Sequence, residues 1–416
     1  MRHGLRGAAG VIVAALLIAG CGSGTVASPV MAHGVAIREP AADPRPYGAA
    51  DTAFGLDVLR AWCRADPRGN LVLSPSSLAS GLGMAYLGAL GGTARAIAQV
   101  LHLPAAGGDA LEAGLQARSA ALRRLDSPGV TLAASDQVWA DPTLDTRRGY
   151  LNAVATSYGA GVAQVPMLSH PDQAAQEINH AIAVATKGQI PQLLSSGSLY
   201  NIGWVLTDAL YLQAAWATPF QASQTSPGSF TTAAGQHVTV PFMNGGGYRT
   251  VSAAGWTAVA LPYRGGQLTM IALLPPAGAS GCALPSGPGL TAMAARLAST
   301  AARTSDIALP RVKLAGGVSM KALLTALGMG VAFTPAADFT ALSPQACCIG
   351  LVRQAATLRV GEQGTVASAA TAVGMAPTAA RQPPQVAFDR PYLMLVTATA
   401  SGEPLFAARV ANPAAP

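Results

Sequence analysis

The order of helix-like and strand-like segments is the feature that most restricts the fold of this chain. Helical patterns dominate the first part: an apolar face begins near Asp51, and Ser74-Pro75 starts a second helix. Apart from an early run at 132–139, strand-like runs come later, at 204–213, 259–263, 268–274, 307–314, 358–361, 392–399 and 405–409. Because helices and strands are segregated, the pattern predicts an α+β fold rather than alternating βαβ units.

Composition and charge exclude several classes of protein. The formal net charge is +7, but the basic residues are scattered and aromatic residues make up only 5%. A nucleic-acid surface gathers its cations on one face, so no nucleic-acid partner is expected. The six histidines show no metal-ligand spacing, so we expect neither a metal site nor any other cofactor. No linker separates residues 50–411 into two domains.

The N-terminus has the pattern of an export signal. Arg2 and Arg6 precede an apolar stretch at 8–19 that is short for a membrane span, and small residues lead to Cys21. This pattern predicts a signal peptide with a lipobox at 1–20 and an acylated Cys21. A proline-broken stretch then predicts a flexible tether at 21–49, before a domain at 50–416. The expected location is therefore extracellular, on the cell membrane; an ordinary secretory signal that contains Cys21 is the alternative.

Four cysteines lie beyond the signal, and the sequence does not pair them. Cys63, Cys282, Cys347 and Cys348 allow three pairings in an oxidising compartment. The adjacent Cys347 and Cys348 rarely bond each other without strain, and free buried thiols are the other possibility.

Several short segments, in this order along the chain, resemble the serpin family. None is specific alone, because Ser-Pro at a helix start and Leu-Pro-Tyr are both common. Together they extend over essentially the whole folded region, at 70–78, 84–93, 178–190, 207–220, 261–275, 309–311, 327–339, 362–365 and 388–392. The resemblance implies a single α+β domain with three β-sheets, about eight or nine helices and an exposed reactive-centre loop at about 362–384.

The resemblance also implies a function: a suicide substrate rather than an enzyme. In serpins, a serine protease cleaves the exposed loop, which then inserts as a new strand of the main sheet and traps the acyl-enzyme. Side chains alternate between the two faces of a strand, so Thr365, Ala367 and Ala369 would face inward, with Ala370 facing outward. All are small and uncharged, which favours insertion. Val366 stands where the family usually has Glu, but it faces outward in this register.

Other positions carry mechanism by the same resemblance. Glu362, next to Gly364 in the hinge, would pair with Arg311 beside Trp216, where the sheet opens. At the centre of the sheet, Asp208 and Gln354 replace the family's usual Asn and His. We expect the Asp208 carboxylate to accept hydrogen bonds from the Gln354 amide and from a serine hydroxyl, with Ser74 and Ser77 as the neighbouring serines.

The position of the scissile bond depends on the point from which it is counted. Counting from Glu362 indicates Thr378-Ala379, and counting back from Phe388 indicates Ala380-Arg381. A small residue before the cut predicts an elastase-like or subtilisin-like target, whereas cleavage after Arg381 predicts a trypsin-like one. The expected partners are this protease and, through the Cys21 anchor, a membrane; the protein is expected to be a monomer.

Two other functions are compatible with parts of the sequence. A serpin fold can work without inhibition, as a binding module or as a mere protease substrate. A secreted hydrolase is disfavoured, because the chain lacks a G-x-S-x-G motif and a histidine in a setting that suggests a catalytic triad.

Overall fold

The computed structural model describes residues 29–104, 108–279, 282–299, 302–365 and 386–415. Cys21 and the loop positions Ala367, Ala369, Ala370 and 378–381 lie outside these described residues. Within them, no helix is long and apolar enough to cross a membrane.

Eight α-helices lie in the described part of the chain, mostly in its first half. They are α1 (Arg45–Ala65), α2 (Pro75–Leu87), α3 (Gly91–Val100), α4 (Asp109–Arg123), α5 (Arg148–Tyr158), α6 (Pro171–Ala185), α7 (Gly287–Ala298) and α8 (Lys321–Leu324). Helix α2 is buried almost all round, because its Ser, Gly and Ala residues allow close packing on every side. The Ser74 hydroxyl caps it by accepting a hydrogen bond from the Ser77 backbone N–H at 3.2 Å. Short irregular turns occupy Ala222–Gln224, Thr325–Met329 and Gly330–Phe333.

Sheet A, an eight-stranded sheet, contains the region where the reactive loop is expected to insert. Its strands are β1 (Val30–Ala32), β3 (Val130–Ala134), β4 (Gln137–Ala140), β5 (Val162–Gln164), β6 (Trp204–Ala215), β12 (Val312–Ser319), β13 (Leu351–Gly361) and β14 (Gly364–Thr365). The order across the sheet is β1-β5-β4-β6-β14-β13-β12, and β3 pairs with the C-terminal part of β6. Strands β6 and β13 are parallel neighbours over most of their length.

Sheet B has nine strands and packs behind the upper part of sheet A, around Trp216, Tyr263 and Phe388. Its strands are β2 (Leu71–Leu73), β7 (Ser226–Thr231), β8 (His237–Ala253), β9 (Trp256–Pro262), β10 (Leu268–Leu274), β11 (Arg303–Pro310), β15 (Val386–Ala387), β16 (Tyr392–Ala398) and β17 (Pro404–Val410). Strand β8 pairs with β7 and β11 and also with β9. The second and third of the three expected sheets are therefore continuous through this 17-residue strand.

The stretch before α1 is not the free tether that its prolines suggested. Strand β1 pairs with β5 at the edge of sheet A, and helix α1 begins at Arg45 rather than near Asp51. Between them, backbone N–H groups donate to side chains of α4 and α5: Val35 to Asn152 at 2.8 Å, Ile37 to Thr156 at 2.9 Å and Glu39 to Gln116 at 3.1 Å. These long-range bonds have no signal in the local sequence.

Two runs predicted as single strands are divided in the structure. The run at 132–139 is broken at Ser135-Asp136, which separates β3 from β4. The run at 307–314 is broken at Arg311, so that β11 belongs to sheet B and β12 to sheet A. In both cases a polar residue stands where the chain changes direction or partner.

One disulfide joins distant parts of the fold. Cys63 at the end of α1 is bonded to Cys282, just before α7, across 219 residues of sequence. Cys347 and Cys348 are free thiols. The structure thus selects a pairing that the sequence left open.

Candidate functional site

The first two residues of the predicted insertion are already inside sheet A. At the upper end of the sheet, Gly364 and Thr365 lie between β6 and β13 and pair with both: Thr365 is opposite Ala214 on one side and Val360 on the other. Thr365 is fully buried. Sheet A is therefore open at this end before any cleavage of the loop.

Two aromatic residues hold the hinge backbone at this opening. The Trp216 backbone N–H donates to the carbonyl oxygen of Gln363, and its indole Nε1–H donates to that of Gly361, both at 2.9 Å. The Tyr263 ring stacks on Trp216 with 4.5 Å between the ring centroids. The hinge backbone is therefore hydrogen-bonded to one member of a buried aromatic pair.

Glu362 lies at the mouth of the opening and is paired with Arg311. Its Oε1 accepts hydrogen bonds from the Arg311 guanidinium, at 2.7 Å from Nε, and from the Thr225 hydroxyl at 2.6 Å. Partial burial alone would raise the pKa of Glu362, but the bonds from Arg311 and Thr225 outweigh it and lower the pKa below its ordinary value. The hinge is therefore anchored by a charge-assisted contact on its outer side.

Below the opening, β6 and β13 are joined directly. We call their paired residues, Val205–Tyr211 with Leu351–Thr357, the seam; in these ranges the two strands are parallel neighbours. Asp208 and Gln354 face each other at its centre, and Gln354 Nε2–H donates to Asp208 Oδ1 at 3.0 Å and to the Ser74 carbonyl oxygen at 2.9 Å. An inserting strand must separate this pair.

The Ser77 hydroxyl faces Asp208, as expected, but it also contacts a second carboxylate. The Ser77 hydroxyl donates to Asp136, which lies at the break between β3 and β4. Desolvation, partly offset by the bond from Ser77, raises the pKa of Asp136 to about 7. The sequence does not single out Asp136, because the run at 132–139 predicts one continuous strand; its only signal is the polar Ser135-Asp136 pair within that apolar run.

A second buried polar cluster acts on Asp136, and no sequence pattern indicates it. Arg118 of α4 contacts Asp51 of α1 at 2.5 Å and Glu403 at 2.8 Å, and it donates to the Ser80 hydroxyl at 3.0 Å. Every member of this group is buried. It joins α1, α2, α4 and the turn before β17, and so supports the helices on which sheet A rests.

Comparison with known proteins identifies the family. The model of the family described as "Serpin (serine protease inhibitor)" matches residues 49–413. The chain belongs to the serpin family. Its α+β fold, with eight helices in the described residues and a partly opened main sheet, is the serpin fold.

Individual proteins resemble most of the chain at moderate identity. Ipis-1 of Ixodes persulcatus is 30% identical over 345 residues, covering 80% of this chain and 89% of the Ixodes protein. Leukocyte elastase inhibitor of Bos taurus is 28% identical over 385 residues, covering 88% and 99%. Among solved structures, the thermophilic serpin tengpin in its native state superposes with a TM-score of 0.77 at 20% identity, covering 93% of this chain and all of that one.

Within this serpin, the candidate site is a hinge and the strand pair below it. The described residues contain no group of three or more His, Cys, Asp or Glu side chains that could hold a metal ion. What the site offers instead is an opened upper end, a hinge held by Trp216 and Arg311, and a seam that closes the remaining path. The roles of these residues in loop insertion stay predictions.

Proposed function

We propose that this serpin is a secreted, monomeric suicide inhibitor of serine proteases that traps its target by inserting the cleaved loop into sheet A. The observation that carries the proposal is the position of Thr365, already buried between β6 and β13. Because insertion competes with hydrolysis of the acyl-enzyme, a strand that has already begun to insert favours the trap.

The seam supports the same mechanism. Below Thr365 the path is closed by one set of parallel ladder bonds, and β13 can give these up to an inserting strand that supplies equivalent bonds. The small, uncharged residues that the sequence places at 367, 369 and 370 would then enter the sheet without burying a charge.

The proposed targets are elastase-like or subtilisin-like proteases. A small residue precedes the cut in both of the favoured alignments of residues 378–381, and the similar Bos taurus protein is named as an inhibitor of leukocyte elastase. Cleavage after Arg381 would instead make the target trypsin-like.

The test is a search for a covalent complex. The chain from Gly22 onward is mixed with elastase-like, subtilisin-like and trypsin-like proteases, and the products are separated on denaturing gels. We expect a stable protease–serpin band and a released peptide whose N-terminus lies between Ala379 and Gln382. Cleavage by every protease without such a band would contradict inhibition and leave a binding module or a simple substrate.

We also propose export and acylation at Cys21, which would place the inhibitor on a membrane. The Cys63–Cys282 disulfide suits an oxidising compartment. Since β1 begins at Val30, fully extended chain from Cys21 to Pro29 spans only about 28 Å. Metabolic labelling with a fatty acid should mark the intact chain and not the Cys21→Ala variant; equal labelling would contradict acylation at this residue.

This short connection would also orient the inhibitor. Val30 is linked through Gln164 and Ala140 to the level of Trp204, the first residue of β6, whereas Gly364 pairs with Ala215 at its other end. The 12 residues of β6 extend about 36 Å. An anchor at Cys21 would therefore hold the lower end of sheet A near the bilayer and present the hinge to the solvent.

A further inference from the structure

At the centre of the seam, two buried side-chain oxygens lack a hydrogen-bond partner, and one additional proton would supply it. Asp208 and Gln354 are directly opposite each other, and both are almost completely buried, with 2% and 1% of their surface exposed. Only one hydrogen bond joins the two side chains, from Gln354 Nε2 to Asp208 Oδ1. Asp208 Oδ2 and Gln354 Oε1 are both buried without a hydrogen-bond partner in the described part of the chain.

An ionised Asp208 would fit this environment poorly. Its Oδ2 and the Gln354 Oε1 would then both be acceptors without a donor, and burial of a carboxylate that lacks compensating bonds is strongly unfavourable. The titratable and charged groups on the surrounding elements do not remove this cost. Asp136 faces Asp208 from the β3–β4 break and repels a second negative charge.

The buried cation that acts on Asp136 is already engaged. Arg118 acts on Asp136 from α4, but it is bonded to Asp51 and Glu403. Tyr158 of α5, the other titratable group facing Asp136, is neutral because burial raises its pKa far above the physiological range. Ser74, the N-cap of α2, and Ser77 are the remaining polar neighbours. The one hydroxyl proton of Ser77 is shared between Asp136 and Asp208, and Asp208 Oδ2 still has no partner.

We propose that Asp208 is protonated in the native state, that its Oδ2–H donates to Gln354 Oε1, and that this reciprocal acid–amide pair holds the seam closed against the incoming loop. This one proton gives a hydrogen-bond partner to both Asp208 Oδ2 and Gln354 Oε1. The gating part rests on the proposed insertion mechanism. The protonation itself does not, because it follows from the buried geometry alone.

The pair makes opening of the seam sensitive to pH. Burial and the nearby Asp136 raise the pKa of Asp208 well above its ordinary value, which agrees with the proton that the two unpartnered oxygens require. When it is lost at higher pH, two acceptors face each other across the seam, and the remaining bond no longer compensates for burial of the charge. Separation of β6 from β13 should then become faster.

A spectroscopic measurement tests the proton directly. Infrared difference spectra of the full chain, wild type minus Asp208→Asn, should contain the carbonyl stretch of a protonated carboxylic acid at acid and neutral pH. This band should disappear at alkaline pH. Its absence from the difference spectrum across the pH range would overturn the proposal, whatever the inhibitory activity of the protein.

The gating step is tested with a peptide that mimics the inserting strand. A synthetic peptide with the sequence of residues 365–376 is incubated with the full chain between pH 5.5 and 9, and its uptake is followed as a gain in thermal stability. The wild-type uptake rate should rise by up to about tenfold for each pH unit as the pH approaches the pKa of Asp208 from below, and it should level off above that pKa.

Variants separate Asp208 from its neighbour. Asp208→Asn keeps both hydrogen bonds at every pH, so its uptake should stay slow and independent of pH. Gln354→Ala, which removes the acceptor, should take up the peptide quickly at every pH. The matched control Asp136→Asn should keep the pH dependence but shift its midpoint to lower pH, because a repelling charge is gone.

Two results would overturn the gate: a pH dependence that survives in Asp208→Asn, or one that disappears in Asp136→Asn. Failure of the proposed inhibitory function has a different signature. No covalent complex would form with any protease, while the infrared band and the pH-dependent peptide uptake would both remain.

Discussion

The Tyr263 hydroxyl lies 2.5 Å from the Thr365 hydroxyl oxygen, inside the upper end of sheet A. The two residues are separated by 102 positions in the sequence, and both are fully buried. This contact fixes which residue of the hinge faces inward. It sets the register for every residue that would follow.

A charged residue at 365 should convert the inhibitor into a substrate. Thr365→Arg would place a cation in the buried site beside Tyr263, at a cost of several kcal/mol. Insertion of the loop should then become slower than hydrolysis of the acyl-enzyme. We expect cleavage by the target protease with at least about a tenfold loss of covalent complex. The control is Gln363→Arg, at an exposed neighbouring position. An equal loss in both variants would contradict the assigned register.

Gly364 should not tolerate a side chain. Its φ of 147° lies in a region that favours glycine, and a Cβ would lie 2.1 Å from the backbone oxygen of Ala214. Gly364→Ala should expel the hinge from the sheet and increase its cleavage by a nonspecific protease several-fold. Gly361→Ala is a close control, because a Cβ there meets nothing within 4 Å. Equal cleavage rates for the two variants would argue against a seated hinge.

Removal of Arg118 should destabilise the protein strongly. Arg118→Ala leaves the carboxylates of Asp51 and Glu403 buried without their cation, and breaking such a buried pair costs about 3–5 kcal/mol. Urea unfolding followed by tryptophan fluorescence measures the loss. Arg124→Ala, at an exposed position just beyond α4, should be nearly neutral; a loss below about 1 kcal/mol for Arg118→Ala would contradict the role given to this network.

Asp136 should make stability fall as the pH rises. Its folded-state pKa of about 7 lies above the ordinary value of 3.8, so the folded state keeps a proton that the unfolded chain releases. The associated stability is complete below about pH 4 and is lost as the pH rises towards 7. The apparent Tm at a fixed scan rate should decline over this window. Asp136→Asn should flatten this decline of Tm with pH. An unchanged slope of Tm against pH in that variant would show that other groups cause the decline.

Reduction of the disulfide should lower stability without disturbing the hinge. Opening the Cys63–Cys282 bond removes a constraint on the unfolded chain, typically worth 2–5 kcal/mol. The double variant Cys63→Ala with Cys282→Ala should show this loss in urea unfolding and become insensitive to reductant. Cys347→Ser, at an exposed free thiol, should keep both the stability and the sensitivity. A reductant-sensitive double variant would contradict the pairing.

Local sequence patterns already determined the family, the α+β order of elements and several members of the site. The start of α2 at Ser74-Pro75 follows from capping chemistry, which depends on adjacent residues. The Glu362–Arg311 pair and the inward position of Thr365 also agree with the structure, because serpin motifs and strand alternation specify both.

Only the tertiary structure decided the contacts between residues far apart in the chain. Asp136 meets Ser77 because a break in one strand turns it towards a buried helix, and the 29–44 stretch is ordered because α4, α5 and the sheet edge supply its partners. The protonation proposed for Asp208 likewise depends on what Gln354 and Asp136 leave unsatisfied around it. Burial and charge at such positions are sums over many distant neighbours, and no local pattern encodes them.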